Sequence, residues 1–164
     1  RAVKDAAAFA GGIRSTLIKR LDGLGLHSFL GIPSTAALFG THRHLLHTTP
    51  AIRYPAFVDG KDYTGHKPKL AGRLGLNSDA SRERKLLRVL PKELLGEELQ
   101  RVPGAFIVLC GEPVQFVVKH VLPAGTVDER RCLWGFPHPS GNYHQGAGIY
   151  RDRLNDYRRQ VDAW

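Results

Sequence analysis

Cys132-Leu133-Trp134-Gly135-Phe136-Pro137-His138-Pro139-Ser140-Gly141-Asn142 is the stretch whose reading decides the fold. An apolar run from Cys132 to Phe136 stops at a histidine held between two prolines, and a Ser-Gly-Asn turn follows. This reads as a strand ending in a functional loop that leads into a polar helix. Pro137 and Pro139 fix φ and bias their neighbours toward extended geometry, so His138 is presented stiffly at the strand's end. Ser140 and the backbone N–H groups of Gly141 and Asn142 suit an anionic oxygen where the next helix begins, because a helix's first amides lack internal partners. The expected ligand is phosphate-like. A proline-rich turn whose histidine caps a neighbour is the plainer alternative. The flanks favour a site, since ligands of open α/β sheets gather beyond the carboxyl ends of strands.

The totals bound the partners. A chain of 164 residues predicts one domain, spanning 1–164, with a usable core. The net charge of +9, from 24 Lys+Arg against 15 Asp+Glu, suggests a polyanionic partner. A basic surface that is merely solvated is the alternative. Cys110 and Cys132 each lie in an apolar run, which suits buried free thiols in a reduced, cytoplasmic protein. No apolar run approaches the roughly 18 residues of a membrane span, and no signal-peptide pattern opens the chain. The chain starts at Arg1 and contains no methionine. The expectation is therefore that a natural start, and with it a first strand, precedes Arg1.

Working outward, Ile13, Leu17, Leu21 and Leu24 recur at helical spacing, with Arg14, Lys19 and Arg20 between them on a face read as solvated. Gly23 and Gly25 end that helix. Ser28 to Gly40 is loop-like. In Thr41 to Pro50, Leu45 and Leu46 read as a buried strand from whose carboxyl end His47, Thr48 and Thr49 emerge. The spacing of His42, His44 and His47 invites a metal reading, but on a strand His47 points to the opposite face from the other two, so no metal is assigned. Arg53 to Lys69 mixes aromatics with cations, as an extended nucleic-acid strand or a plain surface hairpin would require, and Val58-Asp59-Gly60-Lys61 carries a hairpin-turn signature. Ser78 to Glu83 offers helix caps before the stripe Leu86, Leu87, Leu90 and Leu94, which Pro91 interrupts. Ala105 to Cys110 reads as a fully buried strand, and Gly111-Glu112-Pro113 turns into a helix carrying Val114, Val117, Val118 and Val121. A last helix from Ala147 packs Tyr150, Leu154, Tyr157 and Val161 inward. The alternation of segments predicts a three-layer α/β/α domain with a mostly parallel central sheet.

His138-Pro139-Ser140-Gly141-Asn142 after a strand resembles the second motif of the uracil-DNA glycosylase superfamily. Phe106-Ile107-Val108-Leu109-Cys110-Gly111-Glu112-Pro113 is similar to the strand, Gly-x-Pro turn and helix that precede that loop in the family. Leu45-Leu46-His47-Thr48-Thr49-Pro50-Ala51-Ile52 is similar to its base-reading strand. The resemblance spans Ser34 to the chain's end. It implies hydrolysis of the N-glycosidic bond of a damaged DNA base, uracil or a related deaminated base, rotated out of the duplex. It gives His138 the role of donor to the base carbonyl, and Pro139, Ser140 and Gly141 that of a clamp on the neighbouring phosphate. Asn142 and Tyr143 fall where relatives place the wedge that fills the vacated space, and His47 and Thr48 where they contact the base. The family commonly has an asparagine at that last position. Neither residue here offers an amide's paired donor and acceptor, which leaves the preferred base open.

The resemblance implies no cofactor, and two cysteines cannot supply a four-cysteine iron–sulfur cluster. The partner would be DNA, met by a monomer associated with the cytoplasmic nucleoid. The family's water-activating motif has no convincing copy, since Gly31-Ile32-Pro33 lacks the acid and a preceding strand, so that motif is expected before Arg1. Two other classes compete: a non-catalytic nucleic-acid-binding domain, and a metal hydrolase using His42, His44 and His138.

Overall fold

Leu17, Leu21 and Leu24, four and three residues apart, are buried along one side of helix α1 (Gly12–Gly23) and its C-cap. Each such leucine contributes about 1.5–3 kcal/mol by leaving water. Gly25 takes φ 84°, a left-handed conformation that glycine adopts without a Cβ penalty, and turns the chain into the short helix α2 (Leu26–Phe29). A 3₁₀ turn over Thr35–Phe39 follows, its first amides capped by Ser34, whose Oγ accepts from the Ala36 N–H at 3.1 Å. These elements belong to a computed structural model that describes residues 9–51, 57–58, 61–62, 91–141 and 144–164. The chain falls into two compact units, one made of Arg1–Thr48 with Leu133–Trp164, the other of Thr49–Cys132.

The second unit holds an antiparallel pair, β1 (Phe57–Val58) and β2 (Lys61–Asp62), with Phe57 opposite Asp62 and Val58 opposite Lys61. The hairpin signature at Val58 to Lys61 is thereby realised. A wide turn of π type over Pro91–Leu95 leads into α3 (Gly96–Gln100), while the residues before Pro91, and with them the interruption expected there, lie outside the described residues. Strand β3 (Ile107–Val108) is followed by α4 (Glu112–His120), which has proline in its first turn and buries Val117, with Val121 buried just beyond it. Leu95, Leu99, Val117, Val121 and Leu122 form the core of this unit. Arg131 donates from Nη1 to the carbonyls of Val102 (2.8 Å) and Ala105 (3.1 Å), which ties the loop before β3 to the turn before β4.

Strand β4 (Cys132–Leu133), where the chain passes from one unit to the other, pairs with β3 in parallel. The first unit closes with α5 (Gly146–Asp152) and α6 (Leu154–Asp162). The result is a helix-rich mixed α/β fold with one small parallel pair among the described residues. No helix among them is long and apolar enough to cross a membrane.

Several expected elements differ. The strand expected over Cys132 to Phe136 is two residues long, because Gly135 turns the chain at φ 77°. The segment expected as a buried strand at Leu45 enters as a 3₁₀ turn over Arg43–Leu45, since the His42 N–H folds back onto the Ala37 carbonyl (2.8 Å). Leu45 is consequently exposed (48%). Ile107 and Val108 are half-buried rather than fully buried, while Leu109 beside them is enclosed. The last helix is two helices meeting at Arg153. The caps at Ser78 to Glu83, the leucines 86, 87 and 90, and most of Arg53 to Lys69 lie outside the described residues.

Candidate functional site

The His138 loop is held from below by three aromatic rings. Phe136 is fully buried and meets Tyr157 and Tyr150 edge-on at centroid distances of 5.8 and 6.3 Å, while the two tyrosines stack at 6.0 Å. Such pairs add about 0.5–1.5 kcal/mol beyond area burial. Both phenols also have work to do at the backbone. Tyr157 Oη donates to the Gly135 carbonyl and Tyr150 Oη to the Arg20 carbonyl, each at 2.7 Å. Burial pushes both hydroxyls above their ordinary pKa, so they remain donors. Gly135 takes φ 77°, where any side chain is strained, and an added Cβ would also push aside the guanidinium of Arg153, which lies over the Tyr157 ring.

Arg20 reaches the loop itself. It is buried (8% exposed), and its Nη1 donates to the carbonyls of Pro137 and His138, both at 3.2 Å. Its guanidinium lies 5.7 Å from the Tyr150 ring centre, within cation–π range. Pro139 is fully buried, whereas His138 between the two prolines is exposed. The backbone N–H of Ser140 donates to Nδ1 of His138 at 3.2 Å. A donor at Nδ1 requires a lone pair there, so this contact favours the neutral ring with its proton on Nε2 over the other tautomer. Partial burial of the ring, and then the charge of Arg20, hold its pKa below the usual histidine value.

A second polar cluster forms at the same C-terminal turn of α1. The Asp22 carboxylate accepts from Ser34 Oγ (2.6 Å), the Thr35 N–H (2.7 Å) and Thr35 Oγ1 (2.7 Å), with His27 Nδ1 3.8 Å away. Burial pushes this carboxyl up, but those hydrogen bonds and the nearby imidazole outweigh it and hold the pKa below the usual aspartate value. Thr35 is wholly enclosed.

The sequence-predicted residues fare differently. His138, Pro139, Ser140 and Gly141 share one loop, as their adjacency required. Helix α5 begins only at Gly146, so Ser140 and Gly141 do not open a helix. The Ser140 amide turns to the histidine ring instead. Asn142 and Tyr143 lie outside the described residues. His47 and Thr48 belong to the same unit as His138 and follow the 3₁₀ turn outside any helix or strand, His47 exposed and Thr48 half-buried. The Thr48 hydroxyl is enclosed without a hydrogen-bond partner among the described residues. The rings of His42 and His44 lie 6.1 Å apart, and no group of three metal-ligating side chains occurs among the described residues.

Arg20, Tyr150 and Tyr157 are supporting residues whose part in the site the sequence reading missed. A signal for Arg20 existed: positions 17, 20, 21 and 24 form one helical stripe, and a cation inside a leucine stripe has a reason to be there.

The uncharacterized protein YoxB of Bacillus subtilis (strain 168) is 38% identical to this chain over 162 residues. The match covers 98% of the chain and 59% of that relative, so the chain spans about three fifths of the relative's length. No family model matches the chain, and no solved structure matches it.

Proposed function

We propose that this chain is a DNA glycosylase of the uracil-DNA glycosylase type, with His138 acting on the departing base. The observation that carries the reading is the Ser140 N–H on Nδ1 of His138, which favours a neutral ring with an Nε2–H donor in an exposed loop. As the glycosidic bond lengthens, negative charge grows on the base carbonyl, and a neutral donor already in place stabilises that charge with no reorganisation. Neutrality is helped by partial burial and by Arg20. The net charge of +9 suits a polyanionic substrate. On this reading Pro139, Ser140 and Gly141 line the phosphate beside the lesion, His47 and Thr48 meet the base edge, and the small parallel pair belongs to a three-layer α/β/α arrangement with a mostly parallel sheet.

The test is release of uracil or hypoxanthine from labelled oligonucleotides, with chelator present, by the chain and its Bacillus subtilis relative side by side. The expected result is release that falls at least about a hundredfold in His138→Ala. No release from any substrate by either protein, with salt-dependent DNA binding intact, overturns the enzyme reading and leaves a binding domain.

A further inference from the structure

Placing a guanidinium in the leucine stripe of α1 costs desolvation that a leucine at the same position would not. Leu17, Leu21 and Leu24 show what that stripe ordinarily holds. The departure at position 20 is explained by what its donors reach: two successive carbonyls, Pro137 and His138, 117 and 118 residues away in the chain. Those two peptide groups flank the Cα of the histidine. Fixing both carbonyls fixes the peptide planes on either side of it, and with them the approach of the Ser140 N–H to Nδ1. Tyr150 completes the brace, its hydroxyl on the Arg20 carbonyl and its ring beside the guanidinium.

We propose that Arg20 is a positioning residue for His138, locking the Pro137-His138-Pro139 backbone so that the imidazole keeps Nδ1 on the Ser140 amide and Nε2–H for the substrate. The proposal deepens the glycosylase reading and rests on it for its catalytic consequence. Its structural content can be measured separately. Arg20 does not touch substrate; it acts through the loop. Among the described charged groups, Arg20 is the one that bears on the titration of His138.

The experiment pairs ring ¹⁵N NMR of His138 with base-release kinetics in Arg20→Leu, which restores the apolar stripe, and in Arg20→Lys, which keeps the charge but ends one atom short. In the wild-type chain His138 is the Nε2–H tautomer. In Arg20→Leu both tautomers are populated, the His138 titration midpoint rises, and kcat falls about a hundredfold with KM little changed, the scale expected for a small misplacement of a catalytic group. In Arg20→Lys the tautomer mixture appears with the midpoint unmoved.

A single Nε2–H tautomer with wild-type kcat in a folded Arg20→Leu chain overturns the proposal. So does a fall in kcat with the tautomer unchanged, because that is what a merely structural arginine would give. Should Arg20→Leu not fold, an unchanged tautomer in Arg20→Lys overturns it equally. If the wild-type chain releases no base, a tautomer shift in the variants still sustains the positioning role, and the glycosylase reading alone fails.

Discussion

Replacing Asp22 by alanine removes the acceptor of three hydrogen bonds at once, and the cost follows from where each donor is left. Thr35 is wholly enclosed while Asp22 is in place, and its N–H loses its acceptor at a part-buried position that water regains only in part. A buried donor left unmade costs about 1–3 kcal/mol. The Thr35 hydroxyl keeps the Ile18 carbonyl at 3.3 Å, and Ser34, being half-buried, regains water, so these two add less. The sum is about 2–4 kcal/mol. For a chain of this size it corresponds to a fall in Tm of roughly 5–15 °C. Urea unfolding followed by circular dichroism measures it, with Asp22→Asn as control. The amide oxygen keeps an acceptor for Thr35, so the control loses roughly half as much. The carboxyl sits below its ordinary value of 3.8, so its contribution is complete above that pH and is lost as pH falls through the folded value. The gap between wild type and Asp22→Ala therefore narrows in acid. An unchanged urea midpoint in Asp22→Ala, at an unchanged slope, refutes the account.

Tyr157→Phe removes the phenol donor from the Gly135 carbonyl and lowers stability by about 1–2 kcal/mol in the same urea assay, with the ring packing kept. The His138 ring titrates below the ordinary 6.5 in an NMR pH series, since partial burial and Arg20 both disfavour its charged form; a midpoint above 6.5 contradicts this. Because the folded value is depressed, the ring's contribution to stability is full above 6.5 and is lost as pH falls through the folded midpoint. The thiol of Cys132 is pushed up to about 11 by burial, so iodoacetamide near pH 8 leaves it unmodified in the native chain and labels it after unfolding, as peptide mass spectrometry reads.

Helices α1 and α4 were legible because their apolar stripes follow the helical repeat and their ends carry glycine or proline. The hairpin at Val58 to Lys61 was legible from its turn residues. The strand ends were not. Composition marks Cys132 to Phe136 as apolar, but Phe136 is buried by two tyrosines rather than by a sheet, and Gly135 supplies a turn that an apolar window conceals. Leu45 likewise reads as core by type, yet the hydrogen bond from His42 back to Ala37 carries it outward. For the site, the Pro-His-Pro sequence announces a stiffened histidine, while its support comes from an arginine more than a hundred positions earlier in the chain. Local pattern shows such a cation only as an oddity in a stripe, since its partners are backbone carbonyls and leave no mark in residue type.

Gln160 on α6 accepts from the Trp134 N–H at 2.8 Å and donates to the Trp134 carbonyl at 3.5 Å. Its side-chain amide thus imitates the peptide group that an adjoining strand would present just past β4. An edge whose donor and acceptor are already occupied offers no template to a second chain, and unguarded edges are where folded proteins begin to pair with one another. A helix side chain here does the work usually left to a lysine or a bulge. The variable that would expose its loss is concentration, through self-association, more than temperature.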